Sequence, residues 1–327
     1  MAINSLILIG SLAALFSGGN VLVLIGVLVM TQAISAALSL LLLLRSRLLA
    51  PPQESVRVSL RELWHRVSPF YALSLADVLQ QRIDILLLSV LSGEVVIGLY
   101  SAAYNVVRIL VKLVQSYWQA LYPTFSRLHH QSMQRYYRLC DVSLRYGLML
   151  LLPCAALGAV GAAGLLALIY SDEYIAAAPT FQVLLWSAPL LLVEMYAVTL
   201  LMVEHRPKQS LLITGLHLVA VVLIMPPLTA SWGAQGAAWS VVLAGAIGMA
   251  GSLFLLAQFG LMPKPRPAGV LLVCTLASVL ASVWLPVSWM TKMAVSALVY
   301  GLLIWRTRAF APADIELFRK ALRATKE

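Results

Sequence analysis

Charge is what this sequence has least of. Asp, Glu, Lys and Arg together make up 11% of its 327 residues, where a soluble domain carries about 25%. That is too little to coat a water-facing surface, so a chain of two or three soluble domains is excluded. Cysteine is scarce as well. Cys140, Cys154 and Cys274 lie far apart with no CxxC or CxxH spacing, which excludes a disulfide framework and a zinc site and reads them as small buried hydrophobes. Also missing are DxD, HExxH and nucleophile-elbow patterns, and the internal loops are short and basic. A membrane-embedded glycan enzyme would present catalytic carboxylates on a sizeable loop, so no catalytic residue, metal ligand or cofactor is assigned.

What the chain has is apolar length. The AVILMFWYC residues reach 61% and the mean hydropathy is +0.90. A hydrocarbon core about 30 Å thick takes about 20 helical residues to cross. That ruler predicts ten spans at 2–16, 21–44, 69–91, 95–122, 146–170, 180–203, 211–228, 237–258, 268–286 and 290–305. The runs are continuously apolar without period-two alternation, so the expectation is an all-α polytopic membrane helix bundle and not a barrel. Residues 2–16 read as a true span, because Met1-Ala2-Ile3-Asn4-Ser5 lacks the positive charge of a signal peptide.

The net charge of +10 does not indicate nucleic acid, because the basic residues sit in short loops between spans. Arg45 to Arg66, Arg127 to Arg145, Arg206 with Lys208, Lys264 with Arg266, and the tail from Arg306 all fall on one side of an alternating topology. The opposite loops hold Glu94, Asp172, Glu173 and only Lys292. This asymmetry puts the basic loops and both termini in the cytoplasm. The stretches 56–67 and 126–145 mix Arg with Leu and Tyr at helical spacing, and are expected on the membrane surface against anionic lipid. Gly158, Gly161 and Gly164, then Gly245, Gly248 and Gly251, give the small-residue spacing of close helix packing.

Six ionisable groups fall inside the spans: Asp77, Arg82, Asp84, Arg108, Lys112 and Glu194. Each costs about 2.5–3.5 kcal/mol at a helix centre, so each calls for a partner or a function. Asp77 and Arg108 are equidistant from the Ser92-Gly93 turn and are expected at equal depth, either as a pair that locks the hairpin or beside a cavity. Arg108 and Lys112 share a helix face, which Tyr104, Asn105, Gln115 and Gln119 extend into a polar stripe. Asp77, Gln81 and Asp84 form a facing stripe. Two such stripes predict the wall of a water-accessible cavity, in which Arg82 and Lys112 lack an acidic partner and would meet an anion. Glu194 follows Pro189 by five residues and is a candidate proton or sodium site, or a plain interhelical hydrogen bond. His217 reads as a packing residue before a proton relay.

The stretch Arg82-Ile83-Asp84-Ile85-Leu86-Leu87-Leu88-Ser89, then Gly93, then Ile97-Gly98-Leu99-Tyr100-Ser101-Ala102-Ala103-Tyr104 resembles the bacterial oligosaccharide flippases. Leu121-Tyr122-Pro123-Thr124-Phe125-Ser126, Tyr170-Ser171-Asp172-Glu173-Tyr174 and Trp232-Gly233-Ala234-Gln235-Gly236-Ala237-Ala238 are similar to theirs as well. These are the O-antigen and exopolysaccharide exporters of the superfamily that also holds the MATE drug exporters and the lipid II flippases. The resemblance covers residues 60–258, and the rest of the chain by hydropathy.

It implies two six-helix lobes around a central cavity with two extra helices at the end, in the bacterial inner membrane. It also implies alternating-access transport of an undecaprenyl-pyrophosphate-linked oligosaccharide, with Arg82, Arg108 and Lys112 meeting the pyrophosphate or acidic sugars. Aligning the matched hairpin as helices seven and eight makes the first span here helix five, so the expectation is a truncated first lobe. The domains then read as a two-helix remnant (1–47), a basic linker (48–67), a six-helix lobe (68–259), an added helix pair (268–305) and a tail (306–327). A drug or metabolite exporter of the same superfamily, which an acidic cavity would favour, and a non-transporting component of a polysaccharide-assembly complex are the alternatives.

Overall fold

A computed structural model describes residues 21–45, 60–262, 265–283 and 287–307. The first expected span (2–16), most of the linker and the tail beyond residue 307 lie outside these described residues. Among the described residues the chain is helical throughout, with no strand. By contacts it divides into two units, Met1–Leu63 and Trp64–Glu327.

In the first unit, α1 (Val21–Arg45) is a single apolar helix. It exposes Val29, Ile34, Leu38 and Leu42 by half or more, the pattern of a helix bathed in lipid. Thr31, buried in this helix, donates to the Val27 carbonyl at 2.7 Å.

The second unit begins in α2 (Leu60–Gln80), followed by α3 (Ile83–Leu91) and α4 (Glu94–Gln131). Next come α5 (Met133–Val160), α6 (Ala162–Ile169), a 3-10 turn (Asp172–Ala177), α7 (Ala178–Leu185) and α8 (Ser187–Val203). The chain continues with α9 (Pro207–Gln258), α10 (Pro265–Val283) and α11 (Trp289–Thr307). Among the described residues, five helical stretches are long and apolar enough to cross a membrane. Of the other expected spans among the described residues, that at 69–91 is divided between α2 and α3, while those at 268–286 and 290–305 are the single helices α10 and α11.

The breaks follow the sequence. The span at 69–91 splits at Gln81-Arg82, where three polar residues in a row interrupt the apolar run. The spans at 211–228 and 237–258 run together as α9, whose 52 residues are broken at Gly233 (φ 54°, ψ −131°). That is a conformation in which glycine has no Cβ to clash. Three residues on, a Cβ at Gly236 would collide with the Leu228 carbonyl, so the reversal admits no side chain there. Residues 126–145 are not a separate surface helix. They are the ends of α4 and α5, which meet at Ser132. At 1.5 Å per residue α4 is about 57 Å long, so it must outrun a core about 30 Å thick. Residues 60–67 likewise belong to the first turns of α2.

Two apolar clusters hold the second unit together. One surrounds Trp118, Phe125, Tyr136 and Tyr196, where α4, α5 and α8 meet. The other surrounds Leu88, Tyr100, Phe181 and Met225, where α3, α4, α7 and α9 meet. The glycine spacing does what small residues do at helix crossings. Gly158 lies under Leu185, while Gly161 and Gly164 lie under Met293 and Trp289 of α11. The α10–α11 pair is fastened to α5 by Tyr300, whose hydroxyl donates to the Met149 carbonyl at 2.8 Å.

Candidate functional site

The break between α2 and α3 organises the site. Arg82 (φ −134°, ψ −13°) leaves the helical path, and its N–H reaches back to the Leu79 carbonyl at 3.0 Å. A broken helix leaves backbone groups without partners, and in lipid these must be satisfied by protein. The Gln81 carbonyl accepts the Tyr104 hydroxyl at 3.0 Å, and the Ile85 N–H donates to Asp84 Oδ1 at 2.8 Å. Asp84, 4% exposed, also accepts the Tyr100 hydroxyl at 2.8 Å on Oδ2. Its carboxylate thus sits at the N-terminal turn of α3, where the helix dipole favours negative charge. Tyr100 and Tyr104 stack with ring centroids 5.9 Å apart, and together they brace the break from α4.

Around that break lies a cavity of about 450 Å³ between α2, α3, α4, α8 and α9. Asp77, Asp84 and Glu194 line it, with Tyr104, Gln115 and His217. Among the described residues no lysine or arginine lines it. Glu194, 2% exposed, is the most enclosed of the three carboxylates. Its Oε1 accepts Gln80 Nε2 at 3.0 Å, and its Oε2 lies 2.6 Å from His217 Nδ1. A Cβ on Gly248 would lie 2.6 Å from that same Oε2, so the bare glycine makes room for the carboxylate. Asp77, half-buried, accepts Gln81 Nε2 at 3.1 Å and faces the same cavity.

The expected cations lie elsewhere. Arg82, Asn105 and Lys112 are exposed and Arg108 is half-exposed, and none lines the cavity. Arg82 and Arg108 each lie within electrostatic reach of the Tyr104 hydroxyl. Lys112 follows Arg108 by one helical turn on the same face. Tyr104 thus lines the acidic cavity while lying within reach of two arginines that stay outside it.

Asp77 and Arg108 form no ion pair in the structure. Counting equal distances from the Ser92-Gly93 turn assumes one continuous helix. The break at Gln81-Arg82 resets the helical phase, and Asp77 ends up beside Gln81 and toward Glu194. Sequence reasoning also passed over Gln80 and ranked His217 as packing. The signal available for Gln80 was its place in the Gln80-Gln81-Arg82 run at mid-span, and for His217 a lone ring nitrogen pair in an apolar helix. Neither could name Glu194 as the shared partner. Among the described residues no group of three His, Cys, Asp or Glu side chains is arranged to hold a metal ion.

Residues 1–129 match the family model described as polysaccharide biosynthesis protein. Among solved structures, the lipid II flippase MurJ in its inward closed conformation shares this fold, with a TM-score of 0.68 at 12% sequence identity. The match covers 92% of this chain and 64% of that one, so the chain spans less than two thirds of MurJ. A search of curated proteins gives no match. The likeness to polysaccharide biosynthesis proteins thus covers residues 1–129 in sequence, and the likeness to MurJ covers nearly the whole chain in fold alone. The family match begins ahead of residue 60 and ends well before 258, and beyond residue 129 the likeness is carried by fold.

Proposed function

We propose that this chain moves an undecaprenyl-pyrophosphate-linked oligosaccharide from the inner to the outer leaflet of a bacterial inner membrane by alternating access, with both termini in the cytoplasm and no enzymatic step. The observation that carries this reading is the separation of charge about Tyr104. Arg82, Arg108 and Lys112 are exposed or half-exposed cations in apolar segments, and none of them lines the cavity that holds the carboxylates. Fixed cations in a span are costly unless they meet water, an anion or a counter-charge. A pyrophosphate head group offers guanidinium groups charge-assisted and bidentate hydrogen bonds. The family match to polysaccharide biosynthesis proteins and the MurJ-like fold support the same substrate class.

The carboxylates take a different part. Asp77, Asp84 and Glu194 supply a cation site, for a proton or sodium, whose occupancy drives the cycle. Other polysaccharide-assembly proteins would deliver the carrier and remove it. The test is surface glycan in a host that lacks its own exporter. Arg108→Ala with Lys112→Ala should abolish surface glycan while membrane protein levels hold, and unchanged glycan would overturn the anion stripe.

One observation favours the rival, an exporter of cationic drugs or metabolites: among the described residues three carboxylates line the cavity and no lysine or arginine does. That reading requires ethidium resistance conferred by the chain and lost in Glu194→Gln, with surface glycan unaffected.

A further inference from the structure

A second polar feature lies outside the cavity, along the seam where α4, α5 and α8 pack. Trp118, Tyr136 and Tyr196 are 3%, 0% and 0% exposed. Trp118 Nε1 and both tyrosine hydroxyls nevertheless have no hydrogen-bond partner among the described residues. Both hydroxyls approach the Cys140 thiol, a weak partner shared between the two that leaves each short of a full hydrogen bond. One orphaned buried donor is unusual, and three in one seam demand a common explanation. Buried polar groups left without protein partners are ordinarily satisfied by internal water.

The three groups are also in sequence through space. Trp118 borders the cavity, and its ring centroid is 5.4 Å from that of Tyr196. Tyr196 and Tyr136 share Cys140. The Tyr136 ring is 5.2 Å from His129, and His129 Nδ1 is 3.3 Å from Glu204 Oε1. The side chains of that last pair are 16% and 21% exposed, so the seam reaches the surface there. Glu204, the residue just past the end of α8, follows Glu194 by ten residues, about 15 Å at helical rise.

We propose that this seam holds a file of ordered waters, bound by Trp118 Nε1 and the Tyr196 and Tyr136 hydroxyls. The file joins the Glu194 cavity to the His129–Glu204 pair and exchanges protons between them. The proton half of this inference rests on Glu194 as the coupling carboxylate. Water and hydroxyl groups each donate and accept, so a proton that leaves the Glu194–His217 pair is replaced along the file by one from the His129 end. The groups that face Glu194 from the surrounding helices are Gln80 and Asp77 of α2, Asp84 of α3, Tyr104 of α4 and His217 of α9. Asp141 flanks the seam beside Cys140 and Tyr196.

Two measurements on the full chain in lipid nanodiscs test it. Hydroxyl-radical footprinting read by mass spectrometry marks side chains that touch ordered water, wherever they are buried. Tyr136 and Tyr196 should be oxidised several-fold faster than the equally buried Phe181, and at a rate approaching that of exposed Tyr137. Rates no higher than that of Phe181 would mean a dry seam and overturn the inference. In a stopped-flow pH jump, Trp118 emission should report protonation at the cavity, with a phase that Glu194→Gln removes. Tyr196→Phe deletes a hydroxyl whose protein contact is the weak Cys140 thiol, so the fold should hold, and it should slow that phase several-fold. A phase present but indifferent to Tyr196→Phe overturns the relay alone. Oxidised tyrosines with no Glu194-dependent phase overturn the relay together with the assignment of Glu194.

Discussion

His217 Nδ1 lies 2.6 Å from Glu194 Oε2, and the two side chains are only 4% and 3% exposed. A close imidazole–carboxylate contact inside a membrane bundle joins α8 to α9 and ties the most enclosed carboxylate of the cavity to a group that can share its proton. Removing one partner strands the other, at a cost of about 3–5 kcal/mol for a buried pair. His217→Ala should therefore lower the Tm of the detergent-purified protein sharply. His217→Leu combined with Glu194→Leu should recover most of the loss, since neither member of the pair is then left unpartnered.

Gly248 makes a sharper test of the same spot. Its added methyl would meet Glu194 Oε2 at 2.6 Å and His217 Nδ1 at 3.2 Å. Gly248→Ala should push the carboxylate off its partner and cost about 1–3 kcal/mol by overpacking. Gly215, where an added methyl would meet nothing within 4 Å, is the control. Gly215→Ala should leave stability unchanged or raise it by up to about 1 kcal/mol through helix propensity.

The break at Gln81-Arg82 depends on Tyr100 more than on Tyr104. Tyr100→Phe deprives a buried carboxylate of its donor at 2.8 Å, and hydrogen bonds to charged groups are worth about 1.5–3 kcal/mol. Tyr104→Phe frees the Gln81 carbonyl, which borders the cavity and can turn to water, so its cost should be about 1 kcal/mol or less. Thermal unfolding of the two variants side by side should rank them in that order.

The cationic stripe should be nearly silent in stability. Lys112 is exposed and Arg108 half-exposed, and such positions change folding by about ±0.5 kcal/mol or less when substituted. Lys112→Ala and Arg108→Ala should keep the wild-type Tm and accumulate normally in membranes, even where surface glycan is lost. A large drop in Tm for either would mean that the side chain is structural.

Much of the architecture could be read from the chain. The apolar runs at 95–122, 146–170 and 180–203 reappear in α4, the α5–α6 pair and the α7–α8 pair because a span needs only length, apolarity and intrasegment hydrogen bonds. The glycine spacings reappear at crossings because helices approach closely only where side chains are small. The acid residues of the site, Asp77, Asp84 and Glu194, stood out because charge inside an apolar run is expensive anywhere in lipid. What misled was phase. Pairing Asp77 with Arg108 took residues 69–91 as one straight helix, and two residues of broken backbone were enough to turn one carboxylate away from the cation and toward another helix.

Composition and periodicity by themselves determined that this protein is a helical bundle in a membrane, and which few charges it carries where charge is costly. Those properties depend on each residue's own transfer free energy and its neighbours along the chain. Which carboxylate lies against which imidazole, which cations stay outside the cavity, and which hydroxyls are buried together were decided by tertiary structure alone. They depend on how α2, α4, α5, α8 and α9 are rotated against one another, and helix rotation is set by packing between segments that are distant in sequence.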